Sequence, residues 1–294
     1  MTTDSPRILI VRSGALGDML LTLPLVASIR IRHPDAAITF LGNRACKRLF
    51  PTGISCEPID GQDWVWLFGN GSEKIPPPAG FFHRAYVILN RPEDVVRNLK
   101  RAGTADVRVA SSTPRPGKHL VEHLHEELGL LTPEPEPCLS HLAASIKEDL
   151  FWLHPGSGGP QKCVPLTVLA ELAEDLAVRT GWKLAVTAGE EDEFLRNSPQ
   201  WADLVQSPHA LFLDRKPLTE LVAQLRGARL FIGNDSGIAH LATGLGIPSA
   251  VFFVSTDPDQ WAPWVPKKQL LVLDCRATDS DRASWAGEIL KLIR

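Results

Sequence analysis

The sequence predicts an α/β fold in which two parallel-sheet domains follow one another along the chain. Apolar strands alternate with amphipathic helices twice over, once in each half. Between the two series lies a proline-rich stretch, residues 130–140, whose alternating prolines favour the extended backbone of a linker. The chain of 294 residues is 44% hydrophobic, so each half can bury its own core. We expect domains over 1–145 and 146–294, and keep open that the last helix packs back on the first domain.

The hydrophobic period places each element. Short apolar runs predict buried strands, and a period near 3.6 predicts helices. In the first half we expect strands at 7–11, 37–41, 85–89 and 107–109, and helices at 19–32, 93–101 and 119–128. In the second half we expect strands at 150–154, 183–187, 228–232 and 249–253, and helices at 165–179, 218–225 and 237–245.

Two segments depart from this regular alternation. Pro24 lacks the N–H that would bond the carbonyl of Leu20, so the first helix either kinks there or starts late. Residues 70–80 are rich in proline and glycine and are expected to form an exposed loop.

Composition argues against several classes of function. The net charge of −3 gives no general attraction for nucleic acid. The five cysteines form no CxxC pair, so we expect reduced thiols and no structural zinc site. The polar residues 1–7 lack the apolar core of a signal peptide, and no apolar run reaches the ~18 residues of a membrane span. We expect a soluble cytoplasmic protein, which could still act from the inner membrane face on a lipid-linked substrate.

The first turn of interest follows the first strand and reads RSGALGD. Gly14 and Gly17 allow positive φ or a close backbone approach. Asp18 falls at the start of the next helix, where a carboxylate either caps the helix or faces a ligand. Only a fragment of the G-x-G-x-x-G dinucleotide fingerprint is present. The turn alone leaves both interpretations of Asp18 open.

The second turn, residues 154–166, is dense in glycine. Successive backbone N–H donors come from Gly156, Ser157, Gly158 and Gly159, ahead of a helix start, and Lys162 adds a positive charge. Both features favour an anion such as phosphate. The spacing is not that of a P-loop, and a flexible loop without a ligand is the alternative.

The third turn opens a helix after a buried strand. It presents Asn234, Asp235, Ser236 and Gly237 at the helix start, where unpaired N–H groups can meet a ligand. His240 lies four residues after Ser236 on the same helix face. Helix capping and a structural histidine are the alternatives.

All three turns lie where ligands of open parallel sheets bind, at the carboxyl ends of strands. The second half can hold a diphosphate, and the first offers a carboxylate. This arrangement suits glycosyl transfer, in which one domain holds a nucleotide sugar and the other activates the acceptor.

These motifs resemble those of glycosyltransferase family 9, the ADP-heptose:lipopolysaccharide heptosyltransferases. The resemblance rests on the Asp18 turn with LLTLP after it, on the HPGSGG loop followed by Lys162 and Pro165, and on GNDSGIAHLA with TDP at 256–258. It implies a GT-B fold, two Rossmann-like domains facing each other across a cleft. It also implies an inverting mechanism that requires no metal or other cofactor, with the acceptor on the N-terminal domain and the donor on the C-terminal one.

The resemblance assigns roles residue by residue. It makes Asp18 the catalytic base and Lys162 the phosphate-binding lysine. The donor-binding turn it implies consists of Asp235, Ser236, Gly237 and His240. Glu191 matches an acidic residue that contacts the donor ribose, with Glu190 as an alternative.

A basic stretch suggests the acceptor side. Residues 84–119 hold eight Lys or Arg against three acids, which favours an anionic glycolipid or glycan acceptor. Candidate contacts are Arg84, Arg91 and Arg97, with Gly14 and Gly17 at the Asp18 turn. An ordinary solvated surface is an equal alternative.

Two other functions stay open. The same architecture serves nucleotide-sugar epimerases, and a non-catalytic protein could bind a sugar nucleotide through the same turns. The incomplete glycine fingerprint disfavours a redox Rossmann enzyme. The expected partners are a nucleotide sugar and an anionic acceptor, with no nucleic acid and at most peripheral membrane contact.

Overall fold

The protein is described by a computed structural model that covers residues 5–70, 81–144, 146–206, 210–276 and 282–293. The chain divides into two compact units, Met1–Glu134 and Pro135–Arg294. The division falls inside the proline-rich stretch. The expected loop at 70–80 lies, apart from Asn70, outside the described residues.

The first unit is a parallel sheet with helices between its strands. Its elements are β1 (Arg7–Arg12), α1 (Leu16–Arg32), β2 (Ala37–Gly42), β3 (Ile54–Pro58), α2 (Val65–Phe68), β4 (Arg84–Ile88), α3 (Glu93–Arg101), β5 (Asp106–Ala110) and α4 (Leu120–Leu128). The strand order is β3-β2-β1-β4-β5, and every pair is parallel. β1 is central and buried along most of its length, as a continuous apolar run requires.

The second unit repeats the architecture with six strands. Its elements are β6 (Leu150–His154), α5 (Leu166–Thr180), β7 (Lys183–Ala188), α6 (Glu193–Arg196), α7 (Pro199–Gln206), β8 (Ala210–Asp214), α8 (Leu218–Leu225), β9 (Leu230–Asn234), α9 (Gly237–Gly244), β10 (Ser249–Phe253), α10 (Pro258–Trp261), β11 (Leu270–Asp274) and α11 (Trp285–Lys291). The order is β11-β10-β9-β6-β7-β8, again all parallel.

The predicted strands and helices are present, with ends shifted by at most two or three residues. Pro24 lies inside α1, which begins at Leu16, so the helix does not start late. Three further strands, β3, β8 and β11, were not predicted, and each lies at a sheet edge. β3 has no continuous apolar run, whereas β8 and β11 contain runs at 210–213 and 270–273 whose side chains are mixed in burial.

The last described helix belongs to the core of the second unit. On α11, Trp285, Ala286 and Ile289 are buried in the cluster that surrounds this sheet. The Trp285 ring lies 4.8 Å from that of Phe252 on β10, centroid to centroid. Within the described ranges, no helix has both the length and the apolar character needed to cross a bilayer.

Candidate functional site

The strand orders identify where each unit should bind a ligand. In the first unit the order reverses direction between β1 and β4, and in the second between β6 and β9. Crevices outside the carboxyl ends of such neighbouring strands are the usual ligand sites of open α/β sheets. The Asp18 turn follows β1, and the turns at 155–165 and 235–236 follow β6 and β9. The predicted turns therefore coincide with both switch points.

Asp18 is a helix cap and an ion-pair partner together. It sits in the first turn of α1, where Oδ2 accepts the backbone N–H of Ala15 at 2.9 Å. Its other oxygen, Oδ1, accepts Nη2 of Arg12 at 2.6 Å. The Asp18 side chain is 32% exposed, whereas that of Arg12 is 1% exposed. The carboxylate is thus held from the protein side and open on the other.

Gly14 makes room for this carboxylate. Its φ of +144° is rarely adopted by residues with side chains, and a Cβ there would lie 2.5 Å from Oδ2 of Asp18. Gly17 lies half-buried in the first turn of α1. Direct contacts of either glycine with an acceptor stay predictions.

A polar loop that the sequence reading missed lies beside the Asp18 turn. Asn90 follows β4, and its Oδ1 accepts Oγ of Ser111 and the N–H of Ser112, both at 3.1 Å. Its Nδ2 donates to Oγ1 of Thr113 at 3.1 Å. An asparagine directly after a strand was the available signal, but its partners lie more than twenty residues away. Arg91 follows Asn90 and is exposed at this same edge of the sheet.

Two of the three predicted acceptor arginines are engaged elsewhere. Arg84 is the first residue of β4, so it lies at the amino-terminal edge of the sheet, the opposite edge from Asp18. It pairs with Asp106 at 2.6 Å. Arg97 pairs with Asp94 at 2.6 Å and donates to the carbonyl of Gly69. Arg84 therefore lies away from the Asp18 turn, Arg97 contributes to the contact between α3 and the end of α2, and an acceptor contact of either arginine stays a prediction.

The local charge excess is also smaller than the sequence count suggests. Arg115 and Lys118 both pair with Glu126 on α4, which lies just beyond the counted stretch. A count of charges over residues 84–119 leaves out Glu126, which the fold brings next to these two cations.

In the second unit, Gly156 is required by its neighbour Asp192. A Cβ at Gly156 would lie 1.8 Å from Oδ1 of Asp192. By contrast, a Cβ at Gly158 would meet nothing within 4 Å. Lys162 is half-buried at the end of the short 3-10 helix Pro160–Lys162, ahead of α5.

Asn234 ties the two glycine-bearing turns together. Its Oδ1 accepts the N–H of Val164 at 2.9 Å, and its Nδ2 donates to the carbonyl of Pro155 at 2.7 Å. Asn234 is fully buried and holds this loop in place, and a direct contact of its side chain with the donor stays a prediction. Ser157 acts similarly, since its Oγ donates to the carbonyl of Asp235 at 2.6 Å. The Ser157 hydroxyl proton is therefore engaged within the protein.

Asp235 is fixed by groups from two other segments. Its Oδ2 accepts Oγ1 of Thr256 at 2.6 Å, and its Oδ1 lies 3.8 Å from Nε2 of His240. Ser236 caps α9 by accepting the N–H of Ala239 at 3.2 Å. Capping and ligand binding are compatible here, because Gly237 and the first turn of α9 still supply backbone donors.

Asp192, which was not predicted as a site residue, is a buried acid next to Gly156 in the turn at 154–166. Its Oδ2 accepts the N–H of Gly189 at 2.7 Å and lies 3.9 Å from Nε2 of His154. Burial lowers the pKa of His154, and the Asp192 carboxylate opposes that shift. Asp192 ends the short 3-10 helix Glu190–Asp192, on which Glu190 and Glu191, the predicted ribose ligands, are exposed.

Comparisons with known proteins agree with this architecture. The family model described as glycosyltransferase family 9 (heptosyltransferase) matches residues 120–285. "Lipopolysaccharide heptosyltransferase 3" of Escherichia coli is 27% identical, over 84% of this chain and 83% of that protein.

Solved structures show the same fold. The Escherichia coli heptosyltransferase WaaC, solved with ADP, superimposes with a TM-score of 0.72 at 16% identity, over 97% of this chain and 99% of that one. The UDP-GlcNAc 2-epimerase of Methanocaldococcus jannaschii reaches a TM-score of 0.56 at 11% identity, over 96% of this chain and 92% of that one. The fold is GT-B, and it is shared by enzymes with different reactions.

Proposed function

Since this chain belongs to glycosyltransferase family 9 and is a glycosyltransferase, we propose that it transfers heptose from ADP-heptose to a hydroxyl of an anionic glycolipid or glycan. The reaction is inverting and metal-independent, with Asp18 as general base. The second unit binds the donor, and the first binds the acceptor.

The observation that carries the donor assignment is the paired turn at the β6–β9 switch point. Asn234 and Ser157 join the 155–165 loop to the start of α9 through buried hydrogen bonds. These bonds hold the loop that contains Lys162 against the start of α9, so that both segments can offer backbone N–H donors to one ligand. Such preorganised donors bind a diphosphate without reorganisation cost. The solved relative that contains ADP supports the nucleotide.

The chemistry follows from these groups. The acceptor oxygen attacks the anomeric carbon while the bond from that carbon to the diphosphate oxygen breaks on the opposite face. The leaving nucleoside diphosphate takes the electron pair, and the hydroxyl proton passes to Asp18. General-base assistance contributes typically ~100 to 10,000-fold. Lys162 and the helix-start amides stabilise charge on the leaving phosphate, and losing one such donor costs roughly 3 kcal/mol.

The acceptor assignment rests on the edge of the first sheet. The Asp18 carboxylate is 32% exposed, and Arg91 is exposed at the end of β4, the strand beside β1. Arg91 is therefore the arginine we retain for an anionic acceptor. The name of the Escherichia coli relative supports lipopolysaccharide as the acceptor class. We place the enzyme in the cytoplasm, with at most peripheral contact to the inner membrane face.

A nucleotide panel tests the donor. Thermal shifts are measured with ADP-heptose, other ADP-sugars, UDP-GlcNAc and NAD. Selective stabilisation by ADP-sugars is expected, because binding to the folded state alone raises stability by mass action. Stabilisation by NAD alone would exclude a sugar nucleotide as the ligand.

A transfer assay separates the remaining functions. Radiolabelled ADP-heptose is mixed with truncated lipopolysaccharide cores, with and without a chelator. We expect label on the glycolipid at the same rate in both. Conversion of the donor without any acceptor would indicate an epimerase. Tight donor binding without turnover on any core would indicate a non-catalytic binding protein.

A further inference from the structure

The ion pair between Arg12 and Asp18 is unusual because the arginine is buried. Arg12 ends β1 and is 1% exposed. Arginine is almost never fully buried unless it is paired. Its Nη2 donates to Oδ1 of Asp18 at 2.6 Å, and its Nη1 makes a long contact of 3.5 Å to the carbonyl of Ser112. Nε of Arg12 has no hydrogen-bond partner among the described residues.

This arrangement is a poor device for stability alone. Burial lowers the pKa of Arg12, and the Asp18 charge and hydrogen bond oppose that shift. A buried donor left unpaired costs free energy, and well-packed apolar side chains often replace a buried ion pair without loss. Stability therefore does not explain why an arginine occupies position 12.

The geometry suggests what Arg12 does. One oxygen of Asp18 is held by the Arg12 guanidinium and the other by the N–H of Ala15. Two hydrogen bonds to different oxygens fix the plane of a carboxylate, because rotation about its bond to Cβ breaks both. Each oxygen keeps a second lone pair, and the side chain stays 32% exposed.

We infer that Arg12 is a positioning residue, which holds the Asp18 carboxylate in one orientation so that it receives the acceptor proton. This inference rests on the proposed role of Asp18 as base. Because Arg12 is 1% exposed, we expect its effect on the reaction to pass through Asp18. Holding catalytic groups from behind matters because a misplacement of about 1 Å can lower a rate roughly 100-fold.

A double-mutant cycle tests this. We compare kcat of four proteins: wild type, Arg12→Met, Asp18→Asn and the double variant. The substrates are radiolabelled ADP-heptose and the lipopolysaccharide core that accepts label in the transfer assay. Affinity for ADP is measured by calorimetry. Arg12→Met should lower kcat about 100-fold and leave the ADP affinity unchanged. In the Asp18→Asn background the same change should cost less than about threefold, because residues that act as a unit are not additive.

Two further variants serve as controls. Arg12→Lys keeps the positive charge and can donate a hydrogen bond to Asp18, and it should recover roughly tenfold of the loss, since it restores one charge-assisted hydrogen bond. It also replaces Arg12→Met in the cycle if that variant does not fold. Arg7→Met changes the arginine at the other end of β1 and should keep wild-type kcat.

The outcomes separate this inference from the proposed function. If Asp18→Asn is inactive while the Arg12 variants keep kcat, only the positioning role is wrong. Equal losses in both backgrounds would likewise overturn it in favour of a general effect on folding. Wild-type activity of Asp18→Asn would overturn the base assignment and, with it, the role of Arg12.

Discussion

At the scale of single residues, the two interpretations of Asp18 are not exclusive. It accepts the N–H of Ala15 as a helix cap and also accepts a guanidinium hydrogen bond from Arg12. A carboxylate with these two partners and an exposed side can be both structural and reactive. Its replacement therefore affects stability as well as the proposed transfer.

Asp18→Asn should lower kcat by ~100 to 10,000-fold, destabilise the fold by about 2 kcal/mol and leave ADP affinity unchanged. The amide still accepts one hydrogen bond but no longer neutralises Arg12. Transfer is measured with labelled donor, stability by urea unfolding and affinity by calorimetry. A variant that loses stability and keeps its rate would show that Asp18 is only a cap.

The glycines of the 154–166 turn differ in what they tolerate. Gly156→Ala should cost about 1–3 kcal/mol and weaken ADP binding, because the new methyl group overlaps Asp192. Gly158→Ala should leave the unfolding midpoint unchanged, since open space surrounds that position. Urea unfolding and calorimetry of the two variants compare them directly. Equal stability of both would mean that Asp192 moves aside freely.

At the scale of elements, a buried histidine on α4 forms a hydrogen bond to α1. On α4, His125 contacts Oγ of Ser28 at 3.0 Å through Nε2 and the carbonyl of Val121 at 2.7 Å through Nδ1. Burial lowers the pKa of His125, although backbone hydrogen bonds oppose the shift. The folded state therefore favours the neutral ring.

This predicts a pH dependence of stability. Below about pH 6.5 the unfolded chain binds a proton that folded His125 resists, so the free energy of unfolding falls as the pH falls. His125→Asn keeps a donor for Val121 and should flatten the slope between pH 7.5 and 5.5. His141→Asn, at an exposed position, should not. Urea unfolding across this range is the measurement, and identical slopes for wild type and His125→Asn would contradict the prediction.

At the scale of the whole molecule, two parallel sheets each place a turn of interest at a topological switch point. The reversal of strand order, rather than any one motif, is what marks these positions. The assignment of the nucleotide to the second unit is a proposal that can be tested segment by segment.

Hydrogen exchange in the presence of ADP provides that test. Amides at 156–162 and at the start of α9 should become slower to exchange, because ligand binding suppresses local opening. Edge strands such as β3 should change little. Protection confined to the Asp18 turn would mean that the nucleotide binds the first unit instead.

The alternation of strands and helices, the glycine-bearing turns and the family could all be predicted from the sequence. Central parallel strands are continuous apolar runs that can be located from local sequence, and β8 and β11 also contain such runs, whereas the edge strand β3 does not. Which polar side chains face outward depends on the tertiary packing. Asn234 bonds to groups 70 and 79 residues away, and the Arg12 contact to Ser112 spans 100 residues. Such partners are chosen by the packing of distant segments, which local sequence patterns do not encode.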